Sequence, residues 1–409
     1  MTSCDTTPLL AYYDALAQLT GSIEPLAQVV EVPLLEAHGK VLASTIESQI
    51  DVPGCAMSSM DGYAVNTADL ADGEVFELPL TQRIAAGDAE TSLAAGSAAR
   101  IFTGAPIPGG ADAVIMQEEV EADGEAIRFR RRPASGENIR PRGNDIRSGT
   151  TILQRGSRLR AQDIGLAASV GLQSLPIYAP VRVGIFFTGD ELVEPGEALA
   201  SGKIYDSNRY TLHGLLETMG CEIVDLGLVG DTLEATREAM LRASSKADLV
   251  VTSGGVSVGE EDHVRIAIEQ LGELRLWRLG IKPGKPLAYG RINDTAFIGL
   301  PGNPVSVFAT FCLFVCPVIK VMQGREWQKP IALPVRADFD WPKPDSRREF
   351  LRARLARGAG GETVVQIFPN QDSGVLTSTV WADGFVEIAE NETVRPGETV
   401  NYLPFAQFF

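Results

Sequence analysis

Cysteine and histidine are both scarce in this chain, and each shortage closes off a class of chemistry. The five cysteines, an odd number, include no C-x-x-C pair, which argues against a disulfide framework and against a zinc knuckle. Three histidines, at positions 38, 213 and 263, cannot supply a His-rich metal site. Cations are the minority charge: 36 Lys and Arg stand against 53 Asp and Glu, a formal net charge of −17, and no long polybasic run offsets it. General binding to nucleic acid or to an acidic membrane is therefore not expected. An anionic small molecule would have to be captured by local cations. The stretch Met1-Thr-Ser-Cys-Asp5 lacks a basic region followed by a long apolar one, so no signal peptide is expected. Nor is any apolar stretch expected to span a bilayer. Val305 to Met322 is interrupted by Ser306, Thr310 and Pro317 and reads as a core helix, with Cys312 and Cys316 on one face as buried thiols. The expected setting is cytoplasmic and reducing.

What the chain does have is regular alternation. At 409 residues with 44% hydrophobic content it is too long for one compact core, so two to four domains are expected. Helical spacing runs over Leu9 to Leu19 and Leu34 to Ile46, and Asp51-Val-Pro-Gly54 breaks it. From Tyr63 to about Arg131 the chain turns strand-like, as in Phe76-Glu-Leu-Pro-Leu80 and Ala113-Val-Ile-Met116. That predicts a small β-rich domain inserted into the first. A helix over Ile164 to Val170 follows, with Pro176 and Pro180 as a linker. Val181 to about Gln323 alternates strands (Val181–Phe187, Glu222–Asp225, Leu249–Val251, Ala296–Ile298) with helices (Arg209–Met219, Leu233–Ser244). This is the pattern of a doubly wound α/β domain, whose ligands bind beyond the carboxyl ends of its strands. Beyond Pro330, short strands such as Thr363–Phe368 and Gly384–Ile388 predict a C-terminal β-barrel or sandwich. The expected divisions are 1–50 with 146–177, 51–145, 178–327 and 328–409.

The most informative segment is Thr252-Ser-Gly-Gly-Val-Ser-Val-Gly259, followed by Glu260, Glu261 and Asp262. It comes after the apolar Ala247–Val251, and Val264, Ile268 and Leu271 then recur at helical spacing. The glycines thus fall on a strand-to-helix turn, where backbone N–H groups and the helix dipole favour an anion. Gly254 and Gly255 let main chain approach a phosphate, and Asp262 adds a hard oxygen ligand for Mg²⁺. An ordinary Gly-rich connection would look the same. Trp277 to Pro286 presents Arg278, Lys282 and Lys285 beside Pro283 and Pro286. Cations on so stiff a loop suit an oxyanion, although a solvated basic turn is the plainer reading. Gly299-Leu-Pro-Gly-Asn-Pro304 leads rigidly into the apolar helix. Thr188-Gly-Asp-Glu191 also follows a strand and should share the rim of Thr252–Gly255.

Taken in order, these motifs resemble the MoeA-type molybdopterin molybdenumtransferases, a family that includes the E domain of gephyrin. The resemblance spans nearly the whole chain. It rests on Asp51-Val-Pro-Gly54, Met60-Asp-Gly-Tyr-Ala-Val65, Thr103-Gly-Ala-Pro-Ile-Pro108, Arg142-Gly-Asn-Asp-Ile146, Thr188-Gly-Asp-Glu-Leu192 and Asp206-Ser-Asn-Arg209. Ser253 to Gly259, Lys282-Pro-Gly-Lys-Pro286 and Leu300-Pro-Gly-Asn-Pro304 complete the set. It implies a multidomain α/β fold: an elongated N-terminal domain, an inserted β-rich domain, a central MogA/MoaB-like doubly wound domain and a C-terminal barrel-like domain. It also implies an enzyme that takes adenylylated molybdopterin and molybdate, releases AMP and leaves molybdenum on the dithiolene, with Mg²⁺ as cofactor. The implied assembly is a homodimer whose active site lies between the α/β domain of one subunit and the inserted domain of the other. The molybdopterin adenylyltransferase is a further expected partner.

By the same resemblance, Asp61, Asp145, Glu191, Asp231, Asp262 and Lys282 are candidate catalytic residues, with Asp262 also the metal ligand. Ser207, Ser253, Gly254, Gly255, Val256, Ser257, Arg278, Lys285 and Pro301 are candidate substrate contacts. Asp61-Gly62 also fits a plain turn, and Asp231-Thr232 a cap on the helix beginning at Leu233. Two departures stand out. Ala56 and Met57 replace a usual Asp-Asn pair, and Arg278 stands where a lysine is frequent. Two other readings compete: a molybdopterin adenylyltransferase and a gephyrin-like scaffold. A single α/β domain set among three others favours the molybdenumtransferase over the first, and the lack of a gephyrin-type linker disfavours the second.

Overall fold

The computed structural model describes residues 9–255 and 263–409. At its centre is a six-stranded sheet in the order Glu222–Val229, Arg182–Thr188, Leu249–Ser253, Thr295–Leu300, Pro286–Ile292, Gly272–Arg278. Pairing is parallel among the first four strands and antiparallel across the last two joins. Val183, Ile185, Val251 and Ile298 project into one core; Phe186, Val250 and Phe297 project into another on the opposite face. Burial on both faces is why these strands read as unbroken apolar runs rather than as alternating patterns. The helix Ser207–Thr218 covers the first face, and Leu233–Ser244 and His263–Leu271 cover the second. Helix Tyr12–Gly21 also joins the first core, burying Tyr12, Ala15, Leu16 and Leu19 at helical spacing.

The apolar segment Pro304–Met322 is helical throughout. Its 19 residues are long and apolar enough to cross a membrane, which corrects the expectation that no such stretch exists. Its surroundings decide otherwise, since 83% of its apolar window is buried inside the fold. Residues Phe311–Val315 form a π-helical turn just before Pro317. A proline there has no N–H to give and crowds the preceding turn, and the wider turn accommodates both effects. Cys312 and Cys316 lie in this core, and burial pushes both thiols well above their usual range.

The helix expected over Leu34 to Ile46 does not form. Only Leu34–Glu36 makes a 3-10 turn, Gly39 adopts φ +77°, and Ile46–Glu47 pairs as a strand with Thr151–Leu153. Val32, Ala37 and Leu42 bury instead against Leu153, Leu159, Leu175 and Ile177 from residues more than a hundred positions later. That long-range packing outweighs the local spacing. Pro176 likewise lies inside a strand, Ser174–Tyr178, paired with Val29–Pro33, and not in a linker.

The inserted segment forms a six-stranded sheet, in the order Ala113–Met116, Gly62–Val65, Ala98–Ile101, Phe76–Ile84, Ala126–Phe129, Val120–Ala122, with a separate small core on each face. Gly62 is required here, because a Cβ would sit 1.9 Å from the Ile115 carbonyl oxygen. At the C-terminal end, Arg348–Arg357, Thr363–Ile367, Leu333–Ala337, Thr399–Pro404 and Gly384–Ile388 pair in a ring, the last strand returning to the first. Closure leaves this five-stranded barrel without open edges, except where Ile281–Lys282 of the central domain adds alongside Arg348 and Glu349.

Candidate active site

Parallel strands end on a common rim, and the loops leaving that rim surround a cavity of about 890 Å³. Thr188, Ser253 with Gly254, and Pro301 with Gly302 line it from the ends of three adjacent strands. Glu191, exposed, stands at its edge. Ser207 and Asn208 open the helix Ser207–Thr218 beside them, and the loop Lys282–Pro286 forms another side. The remaining wall comes from the barrel, through Arg347 and residues Gln371 to Gly374.

The glycine turn departs in one respect from the sequence expectation. Gly254 (φ +88°) and Gly255 (φ +62°) do adopt backbone that favours glycine. The Gly254 N–H, however, is donated to the Leu300 carbonyl at 3.0 Å and so is not a donor for a ligand. Close approach of main chain is what this residue contributes. Val256, Ser257 and Asp262 lie outside the described residues.

Lys282 and Lys285 share a loop but differ in surroundings. Gly284 between them has φ +103°, and a Cβ there would meet Thr310 Cγ2 at 2.5 Å. The loop is therefore pressed against the core helix rather than standing free. Lys282 Nζ lies 2.8 Å from Glu349 Oε1, an ion-pair distance outside hydrogen-bond geometry, and 3.4 Å from Asp345 Oδ2. Glu349 is 1% exposed and accepts from Trp341 Nε1 at 2.7 Å, so its position is set by the barrel. Asp345 also receives both arms of Arg347, at 3.0 and 2.8 Å, and that guanidinium holds its carboxyl well below the usual carboxylate range. Lys285 is exposed and has no ion pair among the described residues.

Asp206 was not among the sequence candidates, yet it lines the cavity with 1% of its surface exposed. Its Oδ1 accepts from the Arg209 N–H at 3.1 Å and caps the helix, while Oδ2 is buried with no hydrogen-bond partner among the described residues. Burial pushes its carboxyl above the ordinary range. Asn208 Nδ2 ties the rim together, donating to Ser253 Oγ at 3.2 Å and to the Gly302 carbonyl at 2.7 Å. The signal for Asp206 was present as an Asp immediately before a helix. Nothing local marked Arg347 or Gln371, which reach the rim only because the barrel docks there.

The other candidates lie apart from this cavity in the same chain. Asp61 is an exposed residue whose Oδ1 accepts from Thr103 N and Oγ1 at 2.8 and 2.9 Å, contacts that hold its carboxyl below the usual range. Asp145 is exposed, its N–H donated to the Val52 carbonyl at 3.0 Å. The cap on Leu233–Ser244 is Thr232, accepting from the Ala235 N–H at 3.3 Å, so the capping role considered for Asp231 belongs to its neighbour. Arg278 ends the edge strand opposite Pro286 and does not line the cavity.

A doubly wound sheet with a cavity at its carboxyl rim, and a β-barrel as that cavity's second wall, defines a class of multidomain α/β proteins. Family models match in succession: the MoeA N-terminal region (domain I and II) over residues 10–171, a probable molybdopterin binding domain over 184–321, and the MoeA C-terminal region (domain IV) over 334–405. The molybdopterin molybdenumtransferase of Haemophilus influenzae is 40% identical over 376 residues, covering 91% of this chain and 93% of that protein. That of Nostoc sp. is 36% identical, covering 78% and 75%. The solved molybdopterin biosynthesis MoeA protein of Pyrococcus horikoshii superimposes with a TM-score of 0.84 at 31% identity, covering 97% of this chain and all (100%) of that one. The chain belongs to the MoeA family.

Proposed function

We infer that this chain is a molybdopterin molybdenumtransferase of molybdenum cofactor biosynthesis, taking adenylylated molybdopterin and molybdate and releasing AMP. The observation that carries the reading is the rim cavity, whose lining joins the cations Lys282, Lys285 and Arg347 with the carboxyls of Glu191, Asp206 and Asp372, groups for oxyanion oxygens and for a proton in one space. A phosphoanhydride and a molybdate repel one another, and fixed cations offset that repulsion when the two are brought together. In this proposal Lys285 and Arg347 bind oxyanion oxygens, and Lys282, held by Glu349, keeps a fixed charge beside them. Ser207, Ser253, Gly254, Gly255 and Pro301 shape the phosphate side, with Val256 and Ser257 assigned there by sequence. In the same proposal Asp206 and Glu191, both on the cavity wall, hold or pass the proton needed as oxygen leaves molybdate.

Mg²⁺ forms part of the proposal, with Asp262 as its ligand by sequence. Among the described residues no group of three or more His, Cys, Asp or Glu could hold a metal unaided. Mg²⁺ is commonly bound by one or two carboxylates, water and substrate phosphate, so a single protein ligand such as Asp262 is compatible with it. Asp206, whose carboxyl burial pushes toward the protonated form, is not assigned to the ion. When bound, the ion would supply charge neutralisation at the pyrophosphate.

A homodimer, in which Asp61 and Asp145 of one subunit complete the rim of the other, also belongs to this reading. So do the four-part domain division, a cytoplasmic setting and delivery of substrate by an adenylyltransferase. The test is AMP release from adenylylated molybdopterin by purified protein. Release that requires molybdate supports the proposal. Formation of the adenylylated compound from ATP would make the chain an adenylyltransferase, and no turnover with either would leave a scaffold.

A further inference from the structure

A second cavity, of about 890 Å³, shares no lining residue with the rim. Its walls are the His38–Gly39 turn, residues 152–160 with Asp163, and Arg325 with Glu326 just beyond the core helix. It therefore lies on the seam between the N-terminal strands and the central domain. Four arginines, Arg155, Arg158, Arg160 and Arg325, line it against two carboxylates, Asp163 and Glu326. In so acidic a chain this is a local reversal of sign.

Three of the arginines have partners that account for them. Arg155 Nε donates to Tyr178 Oη at 2.7 Å. Arg158 donates to the carbonyls of Gly39 at 3.0 Å and Thr218 at 2.9 Å, satisfying an orphan acceptor at the end of the helix Ser207–Thr218. Arg160 pairs with Asp163 at 3.0 Å at the start of the helix Ala161–Ser169. Arg325 is different. Its Nη1 is buried with no hydrogen-bond partner among the described residues. Glu326 beside it is exposed and forms no ion pair with it among those residues. The charged groups acting on it are of its own sign: burial and then Arg158 push the Arg325 pKa down, and burial and then Arg325 push that of Lys320 down to about 8.

A half-buried guanidinium with one orphaned N–H group next to like charges is an unfavourable arrangement, and an acceptor supplied from outside would relieve it. The backbone around it is rigid. Gly156 (φ +81°) packs so closely that a Cβ would meet the Gly324 carbonyl oxygen at 2.8 Å, and a Cβ on Gly324 (φ +73°) would lie 2.4 Å from the Tyr178 ring. The backbone of this wall is thus fixed, and only the Arg325 side chain has to turn for its buried Nη1 to meet a ligand in the cavity.

We propose that this seam is a second anion site, taking a tetrahedral oxyanion of the phosphate class. Arg325 Nη1 supplies the donor that lacks a partner, and Arg155 and Arg158 stand beside it. Planar guanidinium groups suit such an anion, because each can present two N–H donors to two oxygens. The site is separate from the substrate cavity and does not depend on the reaction assigned to it.

The experiment is thermal unfolding of the full chain titrated with inorganic phosphate, molybdate or AMP, against sodium chloride of equal ionic strength. A ligand bound only by the folded state raises the melting temperature. The wild type should be stabilised by phosphate, and so should Lys285→Gln, whose defect lies in the rim cavity. Because the rim cavity is itself assigned oxyanion binding, the comparison is made in the Lys285→Gln background, where adding Arg325→Gln should lower the apparent phosphate affinity by about tenfold or more. In phosphate-free buffer Arg325→Gln should melt no lower than wild type, since a half-buried charge with an orphaned N–H group has gone. An equal response with and without Arg325→Gln in that background, or none in Lys285→Gln alone, overturns the proposal. Should Arg325→Gln fail to fold, Arg155→Gln must show the weakened response, and an unchanged one there also overturns it. For the part of the response that Arg325→Gln removes in the Lys285→Gln background, AMP acting at lower concentration than phosphate assigns the site to a nucleotide phosphoryl group; equal potency assigns it to a free oxyanion.

Discussion

Lys282 and Lys285 sit three residues apart on one loop, and their neighbours give them different work. Lys285 is exposed, so Lys285→Ala should weaken binding of the anionic substrate by about 1.5–3 kcal/mol, the range for a charge-assisted contact. Its melting temperature should stay unchanged; calorimetric binding with parallel unfolding checks both. Glu349→Gln keeps an oxygen for Trp341 and removes the charge that holds Lys282. Substrate binding should weaken although Glu349 does not line the cavity, and in a double-mutant cycle Glu349→Gln should add little to Lys282→Ala. Asp206 gives a pH signature. Its pKa is raised in the folded protein by burial, so its contribution to stability is present at low pH and is lost as pH rises through that raised value. Asp206→Asn keeps a capping oxygen for Arg209 and should flatten this dependence while lowering turnover, as unfolding and activity measured across pH would show. Asp345 has the opposite sign. Its pKa is depressed, first by Arg347, so the attachment it provides holds above the ordinary carboxylate range and fades as pH falls below it.

At the scale of elements, the loop Lys282–Pro286 is placed by contacts on both sides. Ile281–Lys282 pairs with the barrel strand, and Gly284 lies against Thr310 of the core helix. Gly284→Ala combines a positive φ with a 2.5 Å approach to a methyl group, so it should cost about 1–3 kcal/mol. Thr310→Ser in the same chain removes that methyl and should restore part of the loss, measured by denaturant unfolding. Elements that bury a whole face could be read directly. Leu233–Ser244 and the strands around Val183, Val250 and Phe297 formed where their apolar spacing said they would. Leu34 to Ile46 could not be read, because a short apolar run is compatible with helix or strand and only a distant partner decides between them.

At the scale of the molecule, the rim cavity is closed on one side by this chain's own barrel, whereas Asp61 and Asp145 lie outside it. If a second subunit supplies them, two inactive proteins should complement. Mixing Asp61→Ala with Asp262→Ala under conditions of subunit exchange gathers both defects into one site of each heterodimer and leaves the other intact. Activity should return to about half per heterodimer by symmetry. No recovery, with exchange verified, would place both residues in service of one chain.

The sequence by itself determined the layered architecture, the family, and the loops that would meet at a rim. Those depend on periodicity, on turn residues and on strand order, all of which are local or nearly so. Only the tertiary structure decided which groups stand next to one another at that rim and in what state. Arg347 and Glu349 reach the loop of Lys282 because a barrel closes beside it, and that closure is set by pairing among strands spread over the last eighty residues or so. The same holds for Asp206 and Arg325. Their types are visible in the sequence, but the burial of Asp206 Oδ2 and Arg325 Nη1, without a hydrogen-bond partner among the described residues, arises only when distant segments pack around them. Desolvation follows from what surrounds a group in space, and the sequence does not state that before the chain has folded.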